Sequence, residues 1–117
     1  MGQLIYGHPV TQLGFTTSAN GNTTLYSPIN PGDMLKVFRL TYTVNSNVSG
    51  EVQLLLGPQI LCRDLNPQLG GVYGFNILPH YYQGNASDAI IISLPSSVQT
   101  DINATFYESA NSAPIYW

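Results

Sequence analysis

Between residues 34 and 57 apolar and polar positions alternate in two runs, MLKVFRLTYTV and EVQLLLG, separated by a polar loop. In the first run Met34, Phe38, Leu40, Tyr42 and Val44 share one face, and Arg39, Thr41, Thr43 and Asn45 share the other. A period of two predicts a half-buried strand. Lys36 interrupts the apolar face near its outer end, where a long stem can carry the charge to water. In the second run Val52, Leu54 and Leu56 lie on one side. The loop between them is turn chemistry apart from Val48.

The same alternation recurs along the chain. Leu4 and Tyr6 share a face of a short run that Pro9 confines to an edge or an end. Leu13 and Phe15 pair on the next run, and SANGN marks a turn before a returning strand at residues 23–26. SPINPGD, with two prolines and a glycine, leads into the strand at 34. After residue 57 the apolar positions Ile60, Leu61 and Leu65 have no clean period, and the stretch reads as a short strand or one helical turn closed by Asn66-Pro67. Tyr73, Phe75 and Ile77 then share a face until Pro79, and residues 80–88 read as a loop. Ile90, Ile92 and Leu94 face one way with Ile91 opposite, the two-sided character of a central strand. Ile102, Ala104 and Phe106 point inward on the last strand. No segment holds a 3.6-residue apolar period over ten residues, so no long helix is expected. About eight short strands with regular turn signals predict an all-β fold, an antiparallel two-sheet sandwich or a barrel. One β-sandwich domain over residues 1–117 is expected, with an N-terminal arm at 1–10 and a C-terminal arm at 109–117.

Composition sharpens this picture. Only 8% of the 117 residues are charged, against about 25% in an ordinary soluble domain. Amides, hydroxyls, glycine and tyrosine take their place, which suits a surface that meets other protein, because interfaces are enriched in Tyr and depleted in Lys, Glu and Asp. Three basic residues against six acidic ones, net −3, leave no basic patch for phosphate, so no nucleic-acid partner is expected. No run approaches the ~20 apolar residues of a membrane helix, and no membrane partner is expected either. The start, MGQLIYGHPV, has neither a basic n-region nor a continuous apolar h-region, so no secretory signal is expected there. A single cysteine, Cys62, excludes an internal disulfide.

Residues 31–108 resemble a jelly-roll module. The resemblance is carried by the Pro-Gly-Asp entry, the long strand FRLTYTV, a hairpin to EVQLLLG, the element LGGVYGFNI, and closing strands DAIIISL and DINATFYE. Carbohydrate-binding modules, galactose-binding-like domains and capsid-decorating (cement) proteins of tailed phages are similar in pattern. The resemblance implies a β-sandwich with loops at both ends and no catalysis.

Candidate chemistry is sparse. His8 and His80 are not at metal-ligand spacing and no second cysteine exists. Cys62 between Leu61 and Arg63 reads as a small buried hydrophobe rather than a nucleophile. Asp33, Asp64, Asp88 and Asp101 fall at loop or strand ends, where Asx-turn duty is their common role. Neither a metal nor a cofactor is expected, and no catalytic residue is assigned. Arg39 and Arg63 have Asp64, Asp101 and Glu51 as possible ion-pair partners. Four Asn-x-Ser/Thr sequons, at Asn22, Asn47, Asn85 and Asn103, are what so Asn-rich a chain produces by composition. Tyr81 and Tyr82 form a possible glycan contact, since flat rings stack on sugars.

The ends carry Leu4, Ile5, Tyr6, Ile115, Tyr116 and Trp117. Exposed, these groups form a sticky surface, and each large aromatic buried against a partner contributes roughly 1.5–3 kcal/mol. They are the expected protein interface. The function expected on these grounds is a non-enzymatic virion structural protein. It would decorate or cement a capsid, bind a major capsid protein or other virion subunits, and self-associate, for example as a trimer, within a virion assembled in the host cytoplasm. The alternative is a carbohydrate-binding module or virion adhesin acting through Tyr81 and Tyr82.

Overall fold

The computed structural model describes residues 2–5 and 8–110, with side chains from Val10 onward. Ten strands and no helix are found there: β1 (Gly2–Ile5), β2 (His8–Thr17), β3 (Gly21–Tyr26), β4 (Met34–Val44), β5 (Glu51–Leu56), β6 (Gln59–Leu65), β7 (Tyr73–Asn76), β8 (Tyr82–Gln83), β9 (Ile90–Leu94) and β10 (Thr100–Ser109). One sheet runs β1-β2-β10-β4-β7, with β8 also paired to β4. The other runs β3-β9-β5-β6, and all pairings are antiparallel. Set aside β1 and β8, and the eight remaining strands have the β2-β10-β4-β7 and β3-β9-β5-β6 order of a jelly roll.

The inner faces follow the alternation. Val52, Leu54 and Leu56 of β5, Ile90, Ile92 and Leu94 of β9, and Ile102, Ala104 and Phe106 of β10 form one buried cluster with Leu40, Tyr42 and Val44 of β4. Burial of this apolar area is the dominant favourable term in folding. As the two-sided pattern of residues 90–92 implied, β9 is a central strand.

Three expectations change. Residues 34–57 do not form a hairpin: β4 belongs to one sheet and β5 to the other, and the loop between them crosses the sandwich with Val48 buried in the core. Likewise β3 does not return on β2; it pairs with β9 in the opposite sheet. The third change lies within β4. Thr105 pairs with Arg39 but Phe106 with Val37, so Phe38 is an extra residue in the strand, a β-bulge. The bulge reverses the phase of everything before it. Leu35 and Val37 enter the core, while Phe38 joins Val10, Tyr81 and Tyr107 in a separate cluster. Lys36 does not snorkel at the rim of the core. It is fully buried, its Nζ donates to Ser109 Oγ at 2.9 Å and sits 5.9 Å from the centre of the Tyr107 ring. Burial lowers its pKa.

Topology sorts the loops into two ends. Loops 18–20, 45–50, 66–72 and 95–99 lie at one end, here the far end. Loops 27–33, 57–58 and 77–89 lie at the other, the near end, where β2 begins and β10 finishes.

Candidate functional site

The far end is built around loop 66–72. Val48 N–H donates to the Pro67 carbonyl at 2.8 Å, and Asn66 N–H donates to the Gly50 carbonyl at 2.8 Å. In return Gly50 N–H donates to Asn66 Oδ1 at 2.7 Å. Leu69 N–H donates to Asn47 Oδ1 at 2.9 Å, Gln68 N–H to Tyr73 Oη at 2.8 Å, and Gly71 N–H to the Gln68 carbonyl at 3.1 Å. Nearly every residue of the loop is therefore tied to its neighbours or to loop 45–50, and Val48 anchors both to the core. Such bonding fixes a backbone that would otherwise lose order to entropy.

This fixed loop presents apolar side chains to water. Leu65 is 73% exposed, Leu69 62% and Val72 71%. Scattered exposed apolar residues are ordinary, but three within eight residues, on a loop held this firmly, mark a contact surface. The sequence shows them only as apolar residues without a period inside the turn-rich run LNPQLGGV. A period marks the buried face of an element; Leu69 and Val72 lie in a loop outside any strand, and Leu65 is the last residue of β6, exposed at its end.

At the edge of the sandwich below this loop, Asp64 accepts a hydrogen bond from Tyr42 Oη at 2.8 Å and one from Cys62 Sγ at 3.5 Å. The Tyr42 hydroxyl reaches across from the opposite sheet, so the carboxylate closes the gap between β4 and β6. Burial, reinforced by Asp64, pushes the Cys62 thiol up to about 11. A nucleophilic cysteine needs a lowered pKa, and Cys62 is held the other way, as a half-buried thiol. The two further carboxylates proposed as ion-pair partners are also occupied by neutral groups: Thr16 donates to Asp101 and Gln53 to Glu51.

Arg39 lies instead in a hollow of about 190 Å³ on the outer face of the larger sheet, among Gln12, Gly14, Asn103 and Thr105. Three neutral polar side chains and one guanidinium converge there. The volume is below the roughly 300–1,000 Å³ of small-molecule sites, and suits a single side chain or one sugar ring.

At the near end Glu108 organises loop 27–33. Tyr26 Oη donates to its Oε1 at 2.7 Å, and the N–H groups of Ile29 and Asn30 donate to Oε2 at 2.9 and 3.4 Å. Burial alone would raise the Glu108 pKa, but hydrogen bonds from Asp33, Tyr26 and the two backbone amides outweigh it and hold the carboxyl below its usual range. Asp33 is raised, chiefly because its carboxyl bonds to Glu108. Tyr26 is pushed up to about 12, first by burial and then by Glu108.

The sequence-predicted contacts fall differently. Tyr81 meets Phe38 edge-on, centroids 5.6 Å apart, in the cluster separate from the core. Tyr82 meets Phe75, which packs on the core, at 5.1 Å. The two rings lie on opposite faces of the sheet and do not make one stacking platform. Tyr6, Ile115, Tyr116 and Trp117 lie outside the described residues. Leu4 and Ile5 have their backbone in β1, paired to Pro9 and His8, and their side chains lie outside the described set.

Neither a known family model nor a curated protein matches this chain. Among solved structures, one chain from work on Bacillus endospore appendages, which form a family of disulfide-linked pili, is similar at 13% identity. The match covers 83% of this chain and 85% of that one, with a TM-score of 0.47. A likeness this distant says nothing of what the present chain does.

Proposed function

We propose that the domain is a non-catalytic structural subunit that works by burying its far-end loop against other protein in an assembly. The observation that carries this reading is the combination of a backbone fixed by hydrogen bonds with Leu65, Leu69 and Val72 exposed upon it. A rigid apolar knob loses little conformational entropy on docking, so more of its burial energy appears as affinity. Low surface charge supports the same reading, since few ions need be desolvated at a contact. In its finer form the assembly is a virion and the partner a major capsid protein. That form rests on the jelly-roll resemblance of residues 31–108 and on the charge-poor composition.

The test is sedimentation of the purified chain across a wide concentration range, beside a variant carrying Leu65→Ser, Leu69→Ser and Val72→Ser. All three positions are exposed, so the variant should keep the parent Tm. The parent should associate and the variant should not. If both sediment as the same concentration-independent monomer, the reading of self-assembly fails.

A second reading, an adhesin that holds a glycan, is favoured by the hollow around Arg39 rather than by the tyrosine pair. Arg39→Ala should then abolish glycan-array binding, while Tyr82→Ala should leave it in place.

A further inference from the structure

Resting on the glycan reading, we propose that the hollow beside Arg39 is a binding site for a sugar acid, a ring that carries hydroxyls and one carboxylate.

Register builds the hollow. Gln12, Thr105 and Arg39 stand opposite one another on β2, β10 and β4, and Gly14, Asn103 and Thr41 form the next row. Neighbouring strands lie about 4.8 Å apart, so Gln12 and Arg39 flank the shorter Thr105 at a backbone separation of roughly 10 Å. Gly14 leaves the second row open. A Cβ there would meet Asn103 Oδ1 at 3.6 Å and the Ile102 carbonyl oxygen at 3.9 Å, ordinary contacts, on a backbone that is not left-handed. A side chain would fit at this position, and its absence is what opens the hollow.

The polar groups here lack partners. Among the described residues Arg39 makes no ion pair and no side-chain hydrogen bond, and no acidic side chain lines the hollow. Asp101, one row beyond Asn103 on β10, already accepts from Thr16 Oγ1 at 2.9 Å. Thr105 is 1% exposed, and its hydroxyl has no hydrogen-bond partner among the described residues. Every fully enclosed side-chain oxygen or nitrogen among those residues does have a partner. The trace of surface left to Thr105 therefore lies at its hydroxyl, open to the hollow.

The donors and acceptors define the ligand. A guanidinium only donates, and this one is the single charge lining the hollow. It calls for an anion, and its fork matches a carboxylate. The Gln12 and Asn103 amides and the Thr105 hydroxyl both donate and accept. A bare carboxylate only accepts and leaves their oxygens unused, whereas hydroxyls use both kinds of group. At about 190 Å³ the hollow also holds several waters, more than one carboxylate displaces. A ring with hydroxyls toward β2 and its carboxylate toward β4 meets all four side chains. An acidic side chain of a partner protein would satisfy Arg39 alone.

The probes are sodium glucuronate, glucose and glutarate: acid with hydroxyls, hydroxyls without acid, and acid without hydroxyls. Each is titrated into the isotope-labelled chain, and nuclear magnetic resonance shifts are followed at the Gly14 amide and the Gln12 and Asn103 side chains. Glucuronate should shift these signals and bind at least about tenfold more tightly than either other probe, the worth of one hydrogen-bonded charge. Arg39→Met keeps the stem over Thr105 and removes the charge, and should bring glucuronate down to the affinity of glucose. Gly14→Val fills the hollow with a residue suited to a strand. It should keep at least the parent Tm and lose the glucuronate shifts at Gln12 and Asn103.

Glucose bound as tightly as glucuronate would overturn the sugar acid and leave the glycan reading standing. Glutarate bound as tightly as glucuronate would make the hollow a seat for an acidic side chain and overturn both. Silence with all three probes would also overturn both. Glucuronate shifts that persist in the Gly14→Val protein would put the ligand elsewhere and overturn the site.

Discussion

Asp33 and Glu108 share a site in which one carboxyl is held down and the other up, and the two make opposite demands on pH. Glu108 has a lowered folded pKa, so its contribution is present above the unfolded value and lost as pH falls through the folded one. Asp33 has a raised folded pKa, so its contribution is complete below the unfolded value and lost as pH rises through the folded one. The pair is therefore most stabilising in the acid window where Glu108 is ionised and Asp33 still holds its proton. Asparagine at 33 keeps the donor to Glu108 without the proton, and its carbonyl can still accept from Asn30 Nδ2, now 3.3 Å from Asp33 Oδ2. Asp33→Asn should raise Tm at neutral pH and change it little near pH 4. Thermal scans across that range check this, and an equal shift at both ends would show that the shared proton is not the cause. Loop 27–33 is the region that should tighten, because Glu108 holds the Ile29 and Asn30 amides.

At the scale of elements the fold depends on how β7 meets β4. Gly74 has φ +99° and pairs with Thr41, and a Cβ there would overlap the Leu40 carbonyl oxygen. No flexible side chain is available to move aside, since the obstacle is backbone. Gly74→Ala should cost about 2–4 kcal/mol, combining left-handed strain with lost pairing, and urea unfolding would measure it. A loss under about 0.5 kcal/mol would mean that β7 can leave β4 without consequence. This glycine belongs to the LGGVYGFNI element, which resemblance picked out without giving its reason. Elsewhere alternation served well where it was strict: Val52, Leu54 and Leu56, and likewise Ile90, Ile92 and Leu94, sit inward as read. It failed at Phe38, because one inserted residue reverses phase and leaves no mark in an apolar-polar pattern. It also failed to say that β4 and β5 lie in different sheets, because period two reports the face of a strand and is silent about its partner. Leu65, Leu69 and Val72 escaped for a related reason. Their meaning comes from hydrogen bonds to Asn47 and Gly50, residues distant in the chain, and from exposure, which no local pattern encodes.

For the whole molecule the question is what kind of force joins copies. A net charge of −3 on a chain with 8% charged residues makes long-range repulsion weak, and salt at ordinary strength screens what remains beyond about 10 Å. If loop 66–72 carries the contact, association should change less than about twofold between low and high sodium chloride, because apolar burial does not depend on screening. It should strengthen in sulfate, which is excluded from protein surface, and show a negative heat-capacity change on binding. The hollow at Arg39 makes the opposite demand. A partner carboxylate seated beside that guanidinium would bind less tightly as salt rises, and Arg39→Ala would remove the salt dependence along with the affinity. Titration calorimetry or sedimentation in chloride and sulfate separates the two surfaces without any knowledge of the partner. Loss of affinity in chloride would move the contact from the apolar loop to the sheet face.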